Sequence, residues 1–290
     1  MTGKIKVMSI FGTRPEAIKM APVVRALMQH TDEIETRTLV TAQHREMLDQ
    51  VLHLFHIVPD YDLNIMAAGQ TLFDITTRAM MGINDVFQKE RPDLVLVHGD
   101  TTTTFAGALA AYYHQIPVGH VEAGLRTHDI YSPFPEEMNR RLTGGIATLH
   151  FAPTPTAHAN LLAEGVPERR IFVTGNTVID ALHHTVRPDY VLPAELAGVD
   201  FANHRVLLVT THRRENLGEP MRHVYRAIRS IIEQMDDVEV IFPVHRNPKV
   251  REIVREELGG IPRVHLIDPL DYEPFANLMA RVDIVLTDSS

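Results

Sequence analysis

The chain contains no cysteine in its 290 residues. A disulfide framework and thiolate catalysis are therefore both excluded, and a reducing compartment is expected. No stretch approaches the ~20 uncharged apolar residues of a membrane-spanning helix. The apolar run near the start is too short for a signal peptide and has no small-residue cleavage site before Arg14. We expect a soluble protein of the cytoplasm that has no membrane partner.

Sequence patterns of the common cofactor sites are also missing. The chain has no Gly-x-Gly-x-x-Gly fingerprint, no Walker loop and no His-Glu-x-x-His. It has 17 histidines, but His53 and His56 lack the acidic partner that zinc helices carry. The net charge is −9 and no Lys/Arg block occurs, so a nucleic-acid partner is not expected. We predict no metal and no cofactor.

The chain does contain a regular alternation of short β-branched runs with longer helical patterns. This alternation predicts an α/β fold with doubly wound parallel sheets. Residues 93–98 and 283–287 are nearly all apolar, as expected of strands covered on both faces. The stretch 187–204 has two prolines and no clear period, which is typical of a linker. We predict two Rossmann-like domains facing a cleft, residues 1–186 and 205–290, joined by that linker.

The last predicted strand runs into Asp288, Ser289 and Ser290. Phosphate-binding loops in such folds follow a strand and open a helix, and no helix pattern follows here. The second domain is therefore expected to be small or truncated.

A basic motif, Gly12 to Glu16, follows the first predicted strand. Pro15 suits a first helical turn, and the start of a helix attracts anions. Arg14 adds a charged fork that fits a phosphate group. The motif indicates either a phosphate contact or an ordinary strand-to-helix turn with a surface arginine.

Carboxylates follow two successive strands. Asp100 precedes the run Thr101–Thr104, and Glu122 follows the next strand. If these strands are neighbours, the two carboxylates emerge on one rim, where they push each other's pKa values apart and give one acid and one base. Glu136 or Glu137 is a candidate third member. A solvated loop position or a helix cap is the alternative for each carboxylate. Four threonines exceed one cap and suggest hydroxyls or amides presented to a ligand.

Basic residues follow strands of the second half in the same way. His212 and Arg213 follow the first of these strands, and His245 follows the second. A cationic rim facing carboxylates of the first domain would suit an anionic substrate.

Several long segments together make the pattern specific, because they resemble the bacterial non-hydrolysing UDP-N-acetylglucosamine 2-epimerases throughout the chain. The segments are Phe-Gly-Thr-Arg-Pro-Glu-Ala-Ile-Lys-Met-Ala-Pro (11–22), Thr-Ala-Gln-His-Arg-Glu-Met-Leu (41–48), Val-His-Gly-Asp-Thr-Thr-Thr-Thr (97–104), Gly-His-Val-Glu-Ala-Gly-Leu-Arg-Thr (119–127), Pro-Glu-Glu-Met-Asn-Arg (135–140), Thr-Gly-Asn-Thr-Val-Ile-Asp-Ala (174–181), His-Arg-Arg-Glu-Asn (212–216), Pro-Val-His-Arg-Asn-Pro (243–248) and Leu-Thr-Asp-Ser (286–289).

The resemblance implies two Rossmann-like domains of the GT-B type, the second of which binds UDP, and a homodimer. It implies interconversion of UDP-N-acetylglucosamine and UDP-N-acetylmannosamine without NAD or metal, feeding cell-surface polysaccharide synthesis. It also implies residue roles. The catalytic residues would be Asp100, Glu122, Glu136 and His212; the substrate-binding residues Arg14, Lys19, Phe275, Ser289 and Ser290; and the residues of a regulatory pocket Gln43, Glu136, Arg213 and His245.

Two positions depart from the family pattern. Ser290 stands where the family has glycine, and Gly69 stands where some members have an arginine of the regulatory pocket. Asp100 is the expected base, with Glu122 and Glu136 in proton delivery or positioning, although the sequence leaves the choice among the carboxylates open. The alternative functions are a hydrolysing UDP-N-acetylglucosamine 2-epimerase and a truncated, inactive nucleotide-sugar-binding protein.

Overall fold

The computed structural model describes residues 3–42, 45–211, 213 and 216–288. The chain divides into two compact units, 1–183 and 184–290. The strands are β1 (Ile5–Phe11), β2 (Ile34–Val40), β3 (Tyr61–Asp62), β4 (Leu94–His98), β5 (Val118–Val121), β6 (Leu149–Ala152), β7 (Ile171–Val173), β8 (Arg205–Thr210), β9 (Val238–Pro243), β10 (Val264–Ile267) and β11 (Ile284–Thr287). The helices are α1 (Arg14–Gln29), α2 (Arg45–Leu54), α3 (Leu72–Lys89), α4 (Thr102–Tyr113), α5 (Glu136–Ile146), α6 (Pro155–Ala163), α7 (Val178–Thr185), α8 (Glu219–Gln234), α9 (Pro248–Leu258) and α10 (Tyr272–Met279).

The sheet of the first unit has the strand order β3-β2-β1-β4-β5-β6-β7, and its neighbouring strands are parallel. Val95 and Val97 of β4 are fully buried, because helices cover both faces of such a sheet. The order reverses direction between β1 and β4. In open α/β sheets the crevice beside such a reversal, at the carboxyl ends of the strands, is the usual ligand site.

The start of α1 follows from local sequence. Thr13 is the N-cap and forms a capping box with Glu16, and Pro15 lies in the first turn. Each group satisfies or removes a backbone N–H that the helix itself leaves without a partner.

The sheet of the second unit has the order β10-β9-β8-β11, again with parallel neighbours. Its core includes Tyr225 of α8 and Phe242 of β9, whose rings meet edge to face. Residues 187–204, predicted as a linker, contribute Leu196 and Val199 to a second apolar cluster of this unit. The predicted domain bounds remain a prediction.

The predicted α/β fold with parallel sheets is confirmed. Strand β3 was not predicted. It has two residues and pairs with the outer side of β2, so it is too short to produce a detectable alternation. Among the helices of the described residues, none has the length and apolar character needed to span a membrane.

Gly124 is a glycine whose backbone conformation and surroundings leave no room for a side chain. Its φ is +89°, and a Cβ there would overlap the carbonyl group of Ala157 in α6. We expect Gly124→Ala to lower the free energy of unfolding by about 2 kcal/mol or more, since it combines backbone strain with a backbone clash.

Gly145 provides the matched control. It lies on the exposed side of α5, and a Cβ there would meet nothing within 4 Å. Gly145→Ala should gain roughly 0.5–1 kcal/mol. Urea denaturation followed by circular dichroism measures both variants, and equal midpoints for the two would contradict the assignment of Gly124.

Candidate active site

A single buried carboxylate joins the turns that follow β1 and β4. Glu16 accepts hydrogen bonds from the backbone N–H groups of Gly12 (3.1 Å) and Thr13 (2.8 Å). It also accepts from the hydroxyl of Thr101 (2.7 Å), and the hydroxyl oxygen of Thr104 lies 3.2 Å from the same carboxylate. Burial raises the pKa of Glu16, and these hydrogen bonds oppose the rise. The contacts fix the two turns against each other at the point where the strand order reverses.

The threonines that follow Asp100 form hydrogen bonds within the protein. Thr101 caps α4 by accepting from the backbone N–H of Thr104. The hydroxyl of Thr103 bonds that of Thr41 (2.9 Å), and the hydroxyl of Thr104 donates to the carbonyl of His98. Thr103 and Thr104 are fully buried, so for their hydroxyls the prediction of a ligand contact is wrong, whereas a contact through backbone amides stays a prediction. They hold the turn that carries Asp100.

Asp100 lies just beyond the end of β4, as the sequence predicts. Its Oδ2 accepts a hydrogen bond from Nη2 of Arg140 in α5 (2.5 Å), and its backbone carbonyl accepts one from Asn139 (2.9 Å). The ion pair engages one carboxylate oxygen, and the side chain is part-exposed. Helix α5 therefore orients Asp100 from a distance of some forty positions along the chain.

Glu122 follows β5, which is the direct neighbour of β4, so the predicted adjacency of the two strands is confirmed. Nζ of Lys19 donates to both carboxylate oxygens, at 2.8 and 2.6 Å, and Asn176 donates to Oε2 at 3.0 Å. Nε2 of His98 lies 3.6 Å from Oε2. Burial acts to raise the pKa of Glu122, but His98 and Lys19 outweigh it and lower this pKa to about 2.

The backbone contributes to this placement. Glu122 has a φ of +61°, which is uncommon for a residue with a side chain and marks a position held by its surroundings. The surrounding contacts with Lys19, Asn176 and the β5 strand end provide that hold.

The two glutamates at the start of α5 differ sharply. Glu137 is fully buried and accepts from the backbone N–H groups of Thr127 and His128 and from Arg140 and Arg141. Burial acts to raise its pKa, but these donors outweigh it and hold the pKa below its ordinary value. Glu136 is half-buried, and its Oε2 is buried without a hydrogen-bond partner among the described residues. Of the pair, Glu136 is the one with an acceptor available for a ligand.

Arg14 occupies the first turn of α1 and is half-buried. It forms no ion pair or hydrogen bond within the described part of the chain. Gly12, just before it, lies against Thr41 and Thr103 so closely that a side chain would collide with both. A phosphate contact by Arg14 stays a prediction, and the close backbone approach explains the glycine.

Several predicted site residues of the second unit follow the ends of its strands. The carboxylate of Asp288 accepts from the backbone N–H of Arg213 and from Asn216, each at 3.0 Å, which ties the end of β11 to the segment after β8. Nδ1 of His245 accepts from the backbone N–H of Asn247. Phe275 packs half-buried against an apolar cluster.

Four predicted site residues lie outside the described residues: Gln43, His212, Ser289 and Ser290. The roles predicted for these four, and for Arg213, His245 and Phe275, stay predictions.

Three histidines are buried on adjacent strands: His98 on β4, His120 on β5 and His150 on β6. Nε2 of His120 bonds the carbonyl of Gly99 (2.7 Å). Burial is the main cause that lowers the pKa of His120 to about 3; the imidazole is therefore neutral near pH 7 and donates this hydrogen bond. Across the described ranges, no three His, Asp or Glu residues are grouped so that they could hold a metal ion.

Comparison with known proteins identifies the family. The family model for UDP-N-acetylglucosamine 2-epimerase matches residues 25–290. The chain is 58% identical over 287 residues to the UDP-N-acetylglucosamine 2-epimerase of Bacillus subtilis (strain 168), which covers 99% of this chain and 74% of that protein. The chain belongs to the UDP-N-acetylglucosamine 2-epimerase family. The predicted resemblance is thereby confirmed.

Solved structures of the family share the fold. A co-structure of S. aureus MnaA with UDP matches with a TM-score of 0.84 and 50% identity, covering 99% of this chain and 75% of that one. The UDP-GlcNAc 2-epimerase from Neisseria meningitidis bound to UDP-GlcNAc matches with a TM-score of 0.84 and 47% identity, covering 99% and 78%. The chain spans about three quarters of the length of these epimerases.

Sequence reasoning located the strand-end carboxylates of this epimerase-family chain but missed their partners. Glu16, Arg140 and Asn176 were part of quoted motifs without an assigned role. Lys19 was expected to bind substrate, and its pairing with Glu122 was not foreseen. These contacts could be predicted only from the order of the strands in the sheet. That order brings Lys19 and Glu122 together although they are 103 positions apart in the sequence.

His120 gives a prediction about pH. Its pKa is 6.5 ordinarily and about 3 in the fold, so between these values the unfolded chain binds more protons than the folded one. The contribution of His120 to the free energy of unfolding is therefore fully present above pH ~6.5. It is lost as the pH falls toward 3. His120→Gln keeps a donor for Gly99 and should flatten the decline of stability over that window.

The measurement is the free energy of unfolding by urea at several pH values between 3.5 and 7. His53→Gln, at an exposed position of α2, is the control and should follow the wild-type slope. Equal slopes for wild type and His120→Gln would contradict a neutral, buried His120.

Proposed function

We propose that this chain interconverts UDP-N-acetylglucosamine and UDP-N-acetylmannosamine without releasing free sugar. One observation carries the proposal. In a chain of the epimerase family, the carboxylates Asp100 and Glu122 stand at the ends of neighbouring parallel strands, and Lys19 is paired with Glu122. This arrangement offers acid, base and cationic groups at the usual ligand edge of an α/β sheet.

The chemistry sets the requirement. The C2 hydrogen of the sugar is not adjacent to a carbonyl group, so a side chain cannot simply remove and return it. Loss of UDP from C1 together with the C2 proton forms a 1,2-alkene. Re-addition of UDP with protonation of C2 from the opposite face then gives the epimer. A base and an acid are needed near C2, and cations are needed beside the departing diphosphate.

We assign the base role to Asp100. The contact with Arg140 engages only Oδ2, and the side chain is part-exposed, so a substrate could reach the carboxylate. Glu136, which has an unpartnered oxygen, is assigned to proton delivery. It lies four residues before Arg140 and so on the same face of α5 as this partner of Asp100. Glu137, locked by backbone and arginine donors, is assigned a structural role.

Lys19 and Arg14 are assigned to the diphosphate. A diphosphate competes with Glu122 for the Lys19 ammonium. When Lys19 turns to the substrate, Glu122 keeps His98 but loses one of the groups that lower its pKa, so this pKa rises. Substrate binding would thus prepare Glu122 for its part in catalysis.

Further features of the proposal rest on the family. His212, Phe275, Ser289 and Ser290 are assigned to catalysis and UDP contact, and Gln43, Glu136, Arg213 and His245 to a regulatory pocket. A homodimer and a cytoplasmic location are likewise proposed. Reaction without NAD follows from the elimination chemistry, which has no net redox step.

The reaction is tested by isotope incorporation. With UDP-N-acetylglucosamine in deuterated water and no added NAD, we expect UDP-N-acetylmannosamine that carries deuterium at C2, as read by proton NMR and mass spectrometry. Retention of the original hydrogen would rule out the elimination. Accumulation of UDP with free N-acetylmannosamine would support the hydrolysing alternative, and UDP binding without either product would support the inactive binding protein.

The role of Asp100 is tested by Asp100→Asn, which preserves shape and removes the base. We expect kcat to fall roughly 10²- to 10⁴-fold while UDP affinity, measured by calorimetry, changes little. Asp85→Asn, at an exposed position of α3, is the control and should retain full activity. An Asp100→Asn variant with near wild-type kcat would show that the base lies elsewhere.

A further inference from the structure

The last residue of β4, His98, is a polar group without an evident role. Its side chain is 3% exposed, and both ring nitrogens are buried with no hydrogen-bond partner in the described part of the chain. A neutral imidazole always has one N–H donor and one acceptor. Buried polar groups are nearly always hydrogen-bonded, and an exception beside a candidate active site requires an explanation.

The ring has a specific neighbour. Nε2 of His98 lies 3.6 Å from Oε2 of Glu122, which is a few tenths of an ångström beyond hydrogen-bond distance. Glu122 is meanwhile held by Lys19 at 2.6 and 2.8 Å and by Asn176 at 3.0 Å. His98 also interacts electrostatically with the buried Glu16. The backbone of His98 is fixed, because its carbonyl accepts from the Thr104 hydroxyl.

We propose that His98 is a positioning residue for Glu122, donating a hydrogen bond from Nε2 to the carboxylate when Lys19 leaves it for a diphosphate. This inference rests on the proposed function. Departure of Lys19 removes a donor that engages both oxygens of a largely buried carboxylate. His98 then replaces part of that contact and keeps Glu122 in its orientation, while Asn176 holds Oε2.

The neighbouring histidines differ from His98 in this respect. His120 already donates to the carbonyl of Gly99. His150 is equally buried and has an unpartnered Nδ1, but it lies on β6 beside His120, not on β4. His150 is therefore a matched control for the loss of a buried imidazole.

The contact itself is tested without any activity measurement. Histidine ring ¹⁵N signals are recorded by NMR, and the His98 signal is assigned by its loss in His98→Gln. Lys19→Met frees Glu122 in the absence of ligand, so the His98 Nε2 signal should move to the position of a hydrogen-bonded N–H. In the double variant Lys19→Met with Glu122→Gln that movement should be much reduced, and the His150 signal should stay constant in all samples. A His98 signal unchanged by Lys19→Met would overturn the proposal.

The positioning role is tested by kinetics with His98→Leu and His98→Gln beside His150→Leu. We expect His98→Leu to lower kcat roughly ten- to a hundredfold, the usual effect of a lost hydrogen bond to a charged group, with KM little changed. His98→Gln, which can still donate, should recover much of that loss, and it also serves if His98→Leu fails to fold.

The pH dependence separates positioning from simple loss of packing. Removing His98 should shift the acidic limb of the kcat profile, which reports groups in the substrate complex, to higher pH, because Glu122 then protonates more easily. His150→Leu should leave this limb in place. His98→Leu and His98→Gln that both match His150→Leu in kcat and in pH profile would overturn the proposal. A wild-type chain that does not epimerise the sugar would refute the proposed function, and the NMR outcome would still decide the contact.

Discussion

The arrangement of the candidate site depends on the buried carboxylate of Glu16. It accepts from two backbone N–H groups of the turn after β1 and from the Thr101 hydroxyl of the turn after β4, with the Thr104 hydroxyl oxygen 3.2 Å away. A carboxylate can be buried only where donors replace its water. The donors here come from residues of both turns, so folding of one turn requires the other. Gly12 and Thr13 on one side, and Thr101 and Thr104 on the other, are explained by this single requirement.

The same contact sets the position of the reactive groups. Fixing the start of α1 fixes the whole helix, and Lys19 then reaches Glu122 beyond β5. Fixing the start of α4 fixes the turn on which Asp100 meets Arg140. The contacts thereby fix the positions of the strand ends of β1 and β4, where the strand order reverses, and of the neighbouring β5. The site is built on rigid elements, which favours the accurate placement that acid–base chemistry needs.

The sequence allowed the parallel α/β architecture and the strand-end carboxylates to be predicted, because both follow from local patterns. It could not reveal the partners of those carboxylates. The contacts of Lys19 and Asn176 with Glu122 depend on strand order, which no local pattern contains. The hydroxyls of Thr103 and Thr104 were wrongly expected to face a ligand, since composition alone cannot show which side of a turn is buried. Glu136 and Glu137 are adjacent in sequence, and only their orientation on α5 distinguishes them.

The charge pattern of the first unit bears on the proposed reaction. Asp100 is paired with Arg140, Glu122 with Lys19, and Glu137 with Arg140 and Arg141. Paired carboxylates are stable but poor proton acceptors, as the pKa of about 2 for Glu122 illustrates. Under the proposed function, substrate binding has to change the pairing of Glu122, whereas the pairing of Asp100 engages only Oδ2 and can persist.

A diphosphate is suited to that change, because it is itself an anion and competes for the same cations. It can take Lys19 from Glu122, since that ammonium is on a flexible stem and part-exposed. It cannot readily release Glu137, whose carboxylate is fully buried and also held by two backbone N–H groups. Glu122 is paired with a cation that a substrate can displace, and Glu137 is held by donors that it cannot. We therefore expect substrate binding to affect Glu122 and to leave Glu137 unchanged. Under the proposed function, binding energy from the diphosphate would be used to adjust the protonation of Glu122, which is one way in which non-reacting parts of a substrate contribute to catalysis.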